Sequence, residues 1–131
     1  MTQEEILQYN KLCAEFLDAI YSEHAEAWGF GNAKNIGSKM FHGVMYHNVI
    51  EAQRFEKELK FHSDWNWIME VVEAIEKLDN IFVKIHTGGC FIHPINDTKN
   101  YIAKEYSSNK KEAVVQAINQ FLIWYNQNKT I

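Results

Sequence analysis

Hydrophobic positions recur every three to four residues at both ends of this chain and every two residues in a stretch between. Over residues 3–21, Ile6, Leu7, Leu12, Cys13, Phe16, Leu17 and Ile20 form one apolar stripe, which predicts a helix. Thr2, with Glu5 three residues on, reads as its capping box. Over residues 44–59, Val44, Met45, Val49, Ala52, Phe55 and Leu59 lie on one side and Glu51, Arg54, Glu56 and Lys57 on the other, predicting a second helix. A third covers 64–78, with Ile68, Met69, Val72, Ile75 and Leu78 as its apolar face. Ser63 stands as its N-cap, and Asp64 meets the positive end of its dipole. The last covers 110–127, capped by Asn109 or Ser108, with Glu112 three residues after Asn109. Val115 and Trp124 widen its apolar arc.

Between the last two helices the period is two. Ile81 to His86 alternate as in a half-buried strand. Thr87-Gly88-Gly89 signals a tight turn, and 90–93 a return strand stopped by Pro94. Asn96-Asp97-Thr98 marks another turn before a third strand over 100–106. A sheet this small needs cover. The fold class is therefore α+β: an antiparallel sheet of about three strands packed with helices. Residues 22–43 have no period and hold four glycines, Gly29, Gly31, Gly37 and Gly43. They read as an irregular, ordered loop. The expected organisation is one domain over 1–131, with 22–59 inserted between the first helix and the helix–hairpin–helix core.

At 131 residues and 47% hydrophobic, the chain has material for one core and is too apolar for disorder. Its net charge of −4 weighs against nucleic acid, because phosphate binding rests on a basic patch. Cys13 and Cys90 stand outside any CxxC and do not make a disulfide framework. The acidic start, MTQEEILQ, lacks the basic region of a signal peptide, and the apolar runs are too short to span a membrane. Together these predict a cytoplasmic protein.

Candidate chemistry is sparse. Gly29-Phe30-Gly31 begins like a dinucleotide fingerprint but meets Lys34 where a third glycine is needed. Gly31 to Gly37 with Ser38-Lys39 echoes a phosphate loop with the wrong spacing and order. Both read as loop punctuation. His86, Cys90 and His93 put three soft ligands on one hairpin, so zinc is the alternative to a cofactor-free protein. In that alternative the chain is a small metal-dependent or hydrolytic enzyme. The plainer reading has both histidines on a solvated face and Cys90 packed inward. His62-Ser63-Asp64 holds the residue types of a hydrolytic triad, but sequence neighbours do not converge as triad members do. His62 is left without a structural role. Trp65 and Trp67 diverge on a helix, so one packs and the other meets a neighbour. With Trp28, Phe30 and Trp124 they are the candidate binding residues, since Trp and Tyr favour interface hot spots, and His62 beside them joins that set.

Three segments carry a resemblance: Asn10-Lys11-Leu12-Cys13-Ala14-Glu15-Phe16, the run from Lys60 through Asp64-Trp65-Asn66-Trp67 to Glu73, and Asn109 to Val114 with Phe121 to Asn126. They resemble a group of small uncharacterised proteins encoded by phages and prophages of Bacteroidetes-type bacteria. They are also similar to the phage ABA sandwich domain, a helix–strand–helix layering. The resemblance spans about half of the chain and leaves 22–59 uncovered. It brings no catalytic residues. It implies a non-catalytic binding protein in the bacterial cytoplasm, engaging a host protein or small molecule, with interference in host defence as one form. Exposed Trp and Phe imply a homo-oligomer. A virion component is the remaining alternative.

Overall fold

The computed structural model describes residues 1–23, 25–32, 39–41, 44–46, 49–78, 80–97 and 99–128. The architecture is α+β. In chain order the elements are helix α1 (Gln3–Phe16), strands β1 (Ile20–Ser22), β2 (Ala27–Asn32), β3 (Lys39–Phe41), β4 (Val44–Tyr46) and β5 (Val49–Phe55), then helix α2 (Trp65–Glu76), strands β6 (Ile81–His86), β7 (Gly89–Pro94) and β8 (Ala103–Tyr106), and helix α3 (Lys110–Asn128). They fall into two compact units. One comprises 1–12 and 60–131, the other 13–59.

Helix α1 starts as its sequence requires. Thr2 Oγ1 accepts from the Glu5 backbone N–H at 3.1 Å, and Glu5 Oε1 accepts from the Thr2 N–H at 3.1 Å. It ends at Phe16, short of the predicted 21. Asp18 takes a left-handed conformation, φ 60°. The Ala19 N–H then donates to the Ala14 carbonyl and the Asp18 N–H to that of Glu15, both at 3.0 Å. This six-to-one and five-to-two pair is a Schellman stop. Ile20, whose spacing suits the helical stripe, instead opens β1.

The unit over 13–59 overturns two expectations. Residues 44–59 are not a helix, and 22–43 are not only loop. β2 pairs antiparallel with β1 and with β5, and β3 pairs with β4. The apolar positions of 44–59 permit both periods, and Val44, Val49 and Ile50 are β-branched. The tertiary partner decides: β2 presents a ladder that β5 completes from Ala27↔Phe55 to Asn32↔Val49. A β-bulge at Phe30/Gly31 shifts that register. The helical turn that remains is one short 3₁₀ segment, Glu56–Glu58. Lys34, Gly37, Ser38, Gly43, His24, His42 and His47 lie outside the described residues, as do Thr98 and the last three residues of the tail.

The other unit has the predicted sheet, in the order β6-β7-β8, all antiparallel. Helix α2 packs on β6, and α3 lies across β7 and β8. The core between helices and sheet is built from Ile68, Val71, Val72 and Ile75 of α2, from Cys90, Ile92 and Ala103 of the sheet, and from the broad buried face of α3, Val115 included. The two-residue turn is Thr87-Gly88. Gly89 belongs to β7, opposite His86. β8 begins at 103 rather than 100 because Asp97 holds the preceding turn. Its Oδ1 accepts from the backbone N–H of Lys99 at 3.2 Å and of Asn100 at 3.1 Å.

Helix α2 is capped one residue later than expected. Asp64, extended at φ −102° and ψ 121°, accepts from the Asn66 N–H at 2.8 Å. Ser63 lies in the turn before it, its N–H donating to the Lys60 carbonyl. Asn109 caps α3 as predicted, accepting from the Glu112 N–H at 3.2 Å. The Glu112 carboxylate receives the Ser107 hydroxyl instead of reaching back to Asn109.

Candidate functional site

With both helices on one side of β6-β7-β8, the sheet's other face carries the side chains the core does not take. Residues directly opposite in an antiparallel pair share a face. Phe82 stands across from His93, Lys84 from Phe91, and Phe91 from Lys104. Tyr106 lies across from Gly89. The rings form one connected array. Centroids lie 5.9 Å apart for Phe82–His93, 5.8 Å for His93–Tyr101, 5.4 Å for Phe91–Tyr101 and 5.4 Å for Phe91–Tyr106, and His86 adds a ring 5.6 Å from Phe91. Such spacings are those of favourable edge and tilted aromatic pairs. The Lys104 ammonium stands 5.5 Å from the Tyr101 centroid and 5.6 Å from that of Tyr106, within cation–π range.

The array is open to solvent. Phe82 is 46% exposed, Tyr101 40% and Tyr106 66%. The outward strand positions hold two lysines and two histidines and no carboxylate. Glu105 takes the opposite side, paired with Cys90. Gly89 makes the packing possible. A Cβ there would stand 2.9 Å from the Glu105 carbonyl oxygen, 3.2 Å from the Phe91 ring and 3.3 Å from the Tyr106 ring. A side chain at 89 would hold those two rings off the sheet.

His93 is the floor of the array, only 1% exposed. Its Nδ1 lies 2.7 Å from the Pro94 carbonyl oxygen, which can only accept. Nδ1 therefore carries a proton, and in the neutral ring Nε2 is an acceptor. That Nε2 is buried with no hydrogen-bond partner among the described residues, an arrangement that costs about 1–3 kcal/mol.

The structure does not bring His86, Cys90 and His93 together. Cys90 points into the core, where burial pushes its thiol up to about 12, far from the thiolate a metal needs. His86 and His93 share the outer face but sit at opposite ends of their strands. Among the described residues no group of three or more His, Cys, Asp and Glu could hold a metal ion.

His62 lies in the same unit, away from the sheet. The Asn10 side-chain amide Nδ2 donates to its Nδ1 at 3.2 Å, which leaves the ring proton on Nε2. Partial burial lowers its pKa. It borders a surface hollow of about 230 Å³ with Ile6, Lys111, Glu112 and Gln116. Among the described residues the hydrogen bond its ring makes is the one to Asn10, with no nucleophile or carboxylate bonded to it.

The tryptophans separate. Trp67 packs edge-on against buried Phe61, centroids 5.0 Å apart. Trp65 is 37% exposed, with the Lys111 ammonium 5.9 Å from its ring. They diverge as the helical spacing requires. Trp124, 38% exposed, lies beside Phe121 far along α3. Trp28 and Phe30 belong to the other unit. Trp28 is buried against Tyr21, and Arg54 stacks over Phe30 at 4.6 Å.

None of Phe82, Phe91, Tyr101 and Tyr106 is among the binding residues the sequence suggests, which are His62, Trp28, Phe30, Trp65, Trp67 and Trp124. The signal was present: Phe82-x-Lys84-x-His86, Phe91-x-His93 and Lys104-x-Tyr106 place aromatic and cationic residues at the two-residue step of one strand face. Tyr101 carries no such signal: alternation over 100–106 groups it with Ala103 and Glu105 on the other face, whereas the strand begins only at Ala103.

No family model matches this chain, and neither does any curated protein or solved structure.

Proposed function

We propose that this protein acts by binding, without catalysing a reaction, through the outer face of β6-β7-β8. One observation carries the reading: a connected, solvent-open array of aromatic rings, flanked by lysines and free of carboxylates at its strand positions. A contiguous exposed apolar patch on a small domain marks an interaction surface. The His62 surroundings are weaker support for chemistry, since a general base needs a partner within hydrogen-bond reach of a reacting group. The resemblance of Asn10–Phe16, Lys60–Glu73 and Asn109–Asn126 to phage-encoded proteins supports a bacterial cytoplasmic setting. Counter-defence is one role such a binder would serve. Among the described residues no helix is long and apolar enough to cross a membrane.

The test is native mass spectrometry of protein purified from bacterial cells, as wild type and as a Tyr101→Ala/Tyr106→Ala variant with an unchanged circular dichroism spectrum. The reading expects a bound species, or a second copy, that the variant loses. Bare monomer in both preparations, or a bound species that the variant retains, contradicts it.

A further inference from the structure

The binding reading leaves the partner open, and the chemistry of the face narrows it. We infer that the outer face of β6-β7-β8 binds single-stranded nucleic acid, with bases stacking on Phe82, Tyr101 and Tyr106 and phosphates meeting Lys84 and Lys104. This rests on the proposed binding role of that face.

Two features point to that occupant. The exposed rings are spread over the sheet: Phe82 on one edge strand, Tyr106 at the end of the other, and Tyr101 before it. Separate rings with accessible surface receive flat partners one by one, and every base has such a surface. Cations lie among the rings rather than at a distance. Lys84 stands across from Phe91, and Lys104 reaches over both tyrosines. A chain that carries both flat rings and single negative charges supplies a partner for each kind of group on this face.

Two other occupants fit less well. A second copy of this chain would set Lys84 and Lys104 against a surface with no carboxylate at its strand positions. An acidic peptide would satisfy the lysines and leave the exposed rings without flat partners.

The net charge of −4 opposes nucleic acid at long range, so the local arrangement must act at short range. Double-stranded DNA hides its base faces within the stack, so the face discriminates against it. A platform of three short strands holds about two or three bases.

The experiment is fluorescence anisotropy with labelled eight-nucleotide DNA and RNA and a duplex of the same sequence, at low salt. The expected result is binding of the single strands over the duplex. Two phosphate contacts give a slope of log K against log salt of about −1.4. Tyr106→Ala weakens binding about tenfold through one lost stack. Lys104→Ala weakens it and flattens the slope by about 0.7. Lys60→Ala, removing an exposed lysine outside the sheet, leaves it unchanged. Absence of single-strand binding, equal affinity for the duplex, or equal losses from Lys60→Ala and Lys104→Ala overturn the inference. If an acidic peptide or self-association titrates the same face while oligonucleotides do not, the inference falls and the binding reading stands. If the wild type and the Tyr101→Ala/Tyr106→Ala variant also yield the same bare monomer, both fall.

Discussion

Cys90 and His93 stand three residues apart in one strand and face opposite sides of it. Cys90 enters the helix-covered core, and His93 lies beneath the aromatic array. An odd separation along a strand always has this effect. The Cys-x2-His spacing that suggests a metal site in sequence therefore divides its ligands in the fold.

Thiol chemistry checks that division. At pH 8 a thiol at about 12 is ionised in roughly one molecule in ten thousand, and only the thiolate is nucleophilic. Cys13 is buried as well. The native protein is expected to resist a thiol reagent such as Ellman's and to release two reactive thiols in denaturant. Rapid labelling of Cys90 in the native state, or its protection by stoichiometric zinc, contradicts the inward placement.

His62 gives stability a pH dependence. Burial lowers its folded pKa, so near its ordinary value of about 6.5 the unfolded chain binds more protons than the folded one. Stability therefore rises with pH through this window and is lost as pH falls from about 6.5 toward the folded pKa. Protonation also turns the Nδ1 acceptor of the Asn10 bond into a donor. Chemical denaturation of wild type and His62→Gln at pH 7.5 and 5.5 is expected to show a smaller acid loss for the variant. Equal losses remove His62 as a contributor.

Adjacent glycines in the hairpin differ in kind. A Cβ at Gly88 meets nothing within 4 Å, whereas one at Gly89 meets the Glu105 backbone at 2.9 Å. Gly89→Ala is expected to destabilise by about 1–3 kcal/mol, as overpacking does. Gly88→Ala should fall within about 0.5 kcal/mol of wild type. Urea melts of the two variants decide, and equal effects contradict the ring packing over residue 89.

The cap of α2 is equally specific. Asp64→Ala removes the 2.8 Å acceptor for the Asn66 N–H and is expected to cost about 1 kcal/mol. Ser63→Ala is expected to cost much less. Thermal melts with the reverse order restore Ser63 as the cap.

The sheet β6-β7-β8 and α3 were legible because local pattern and tertiary need agree there: alternation, a Thr-Gly turn and an Asn cap leave one solution. The unit over 13–59 was not. The apolar residues of 44–59 satisfy helical spacing as well as strand spacing, and only pairing with β2, invisible in a window of sequence, decides between them. The end of α1 depends on Asp18 adopting a left-handed conformation that glycine signals and aspartate does not. The aromatic face was half legible. The period-two alternation placed Phe82, Lys84, His86, Phe91 and His93 on one side, but Tyr101 joins them from outside the ladder.

The central claim is that the outer face of β6-β7-β8 is the binding surface, and a fragment screen by ¹⁵N chemical-shift mapping tests it most directly. The account expects aromatic anionic fragments to perturb amides in 82–93 and 101–106, with Lys104 and Tyr106 prominent. Hits gathered instead around His62 and Lys111, or no hits on the sheet, would contradict it.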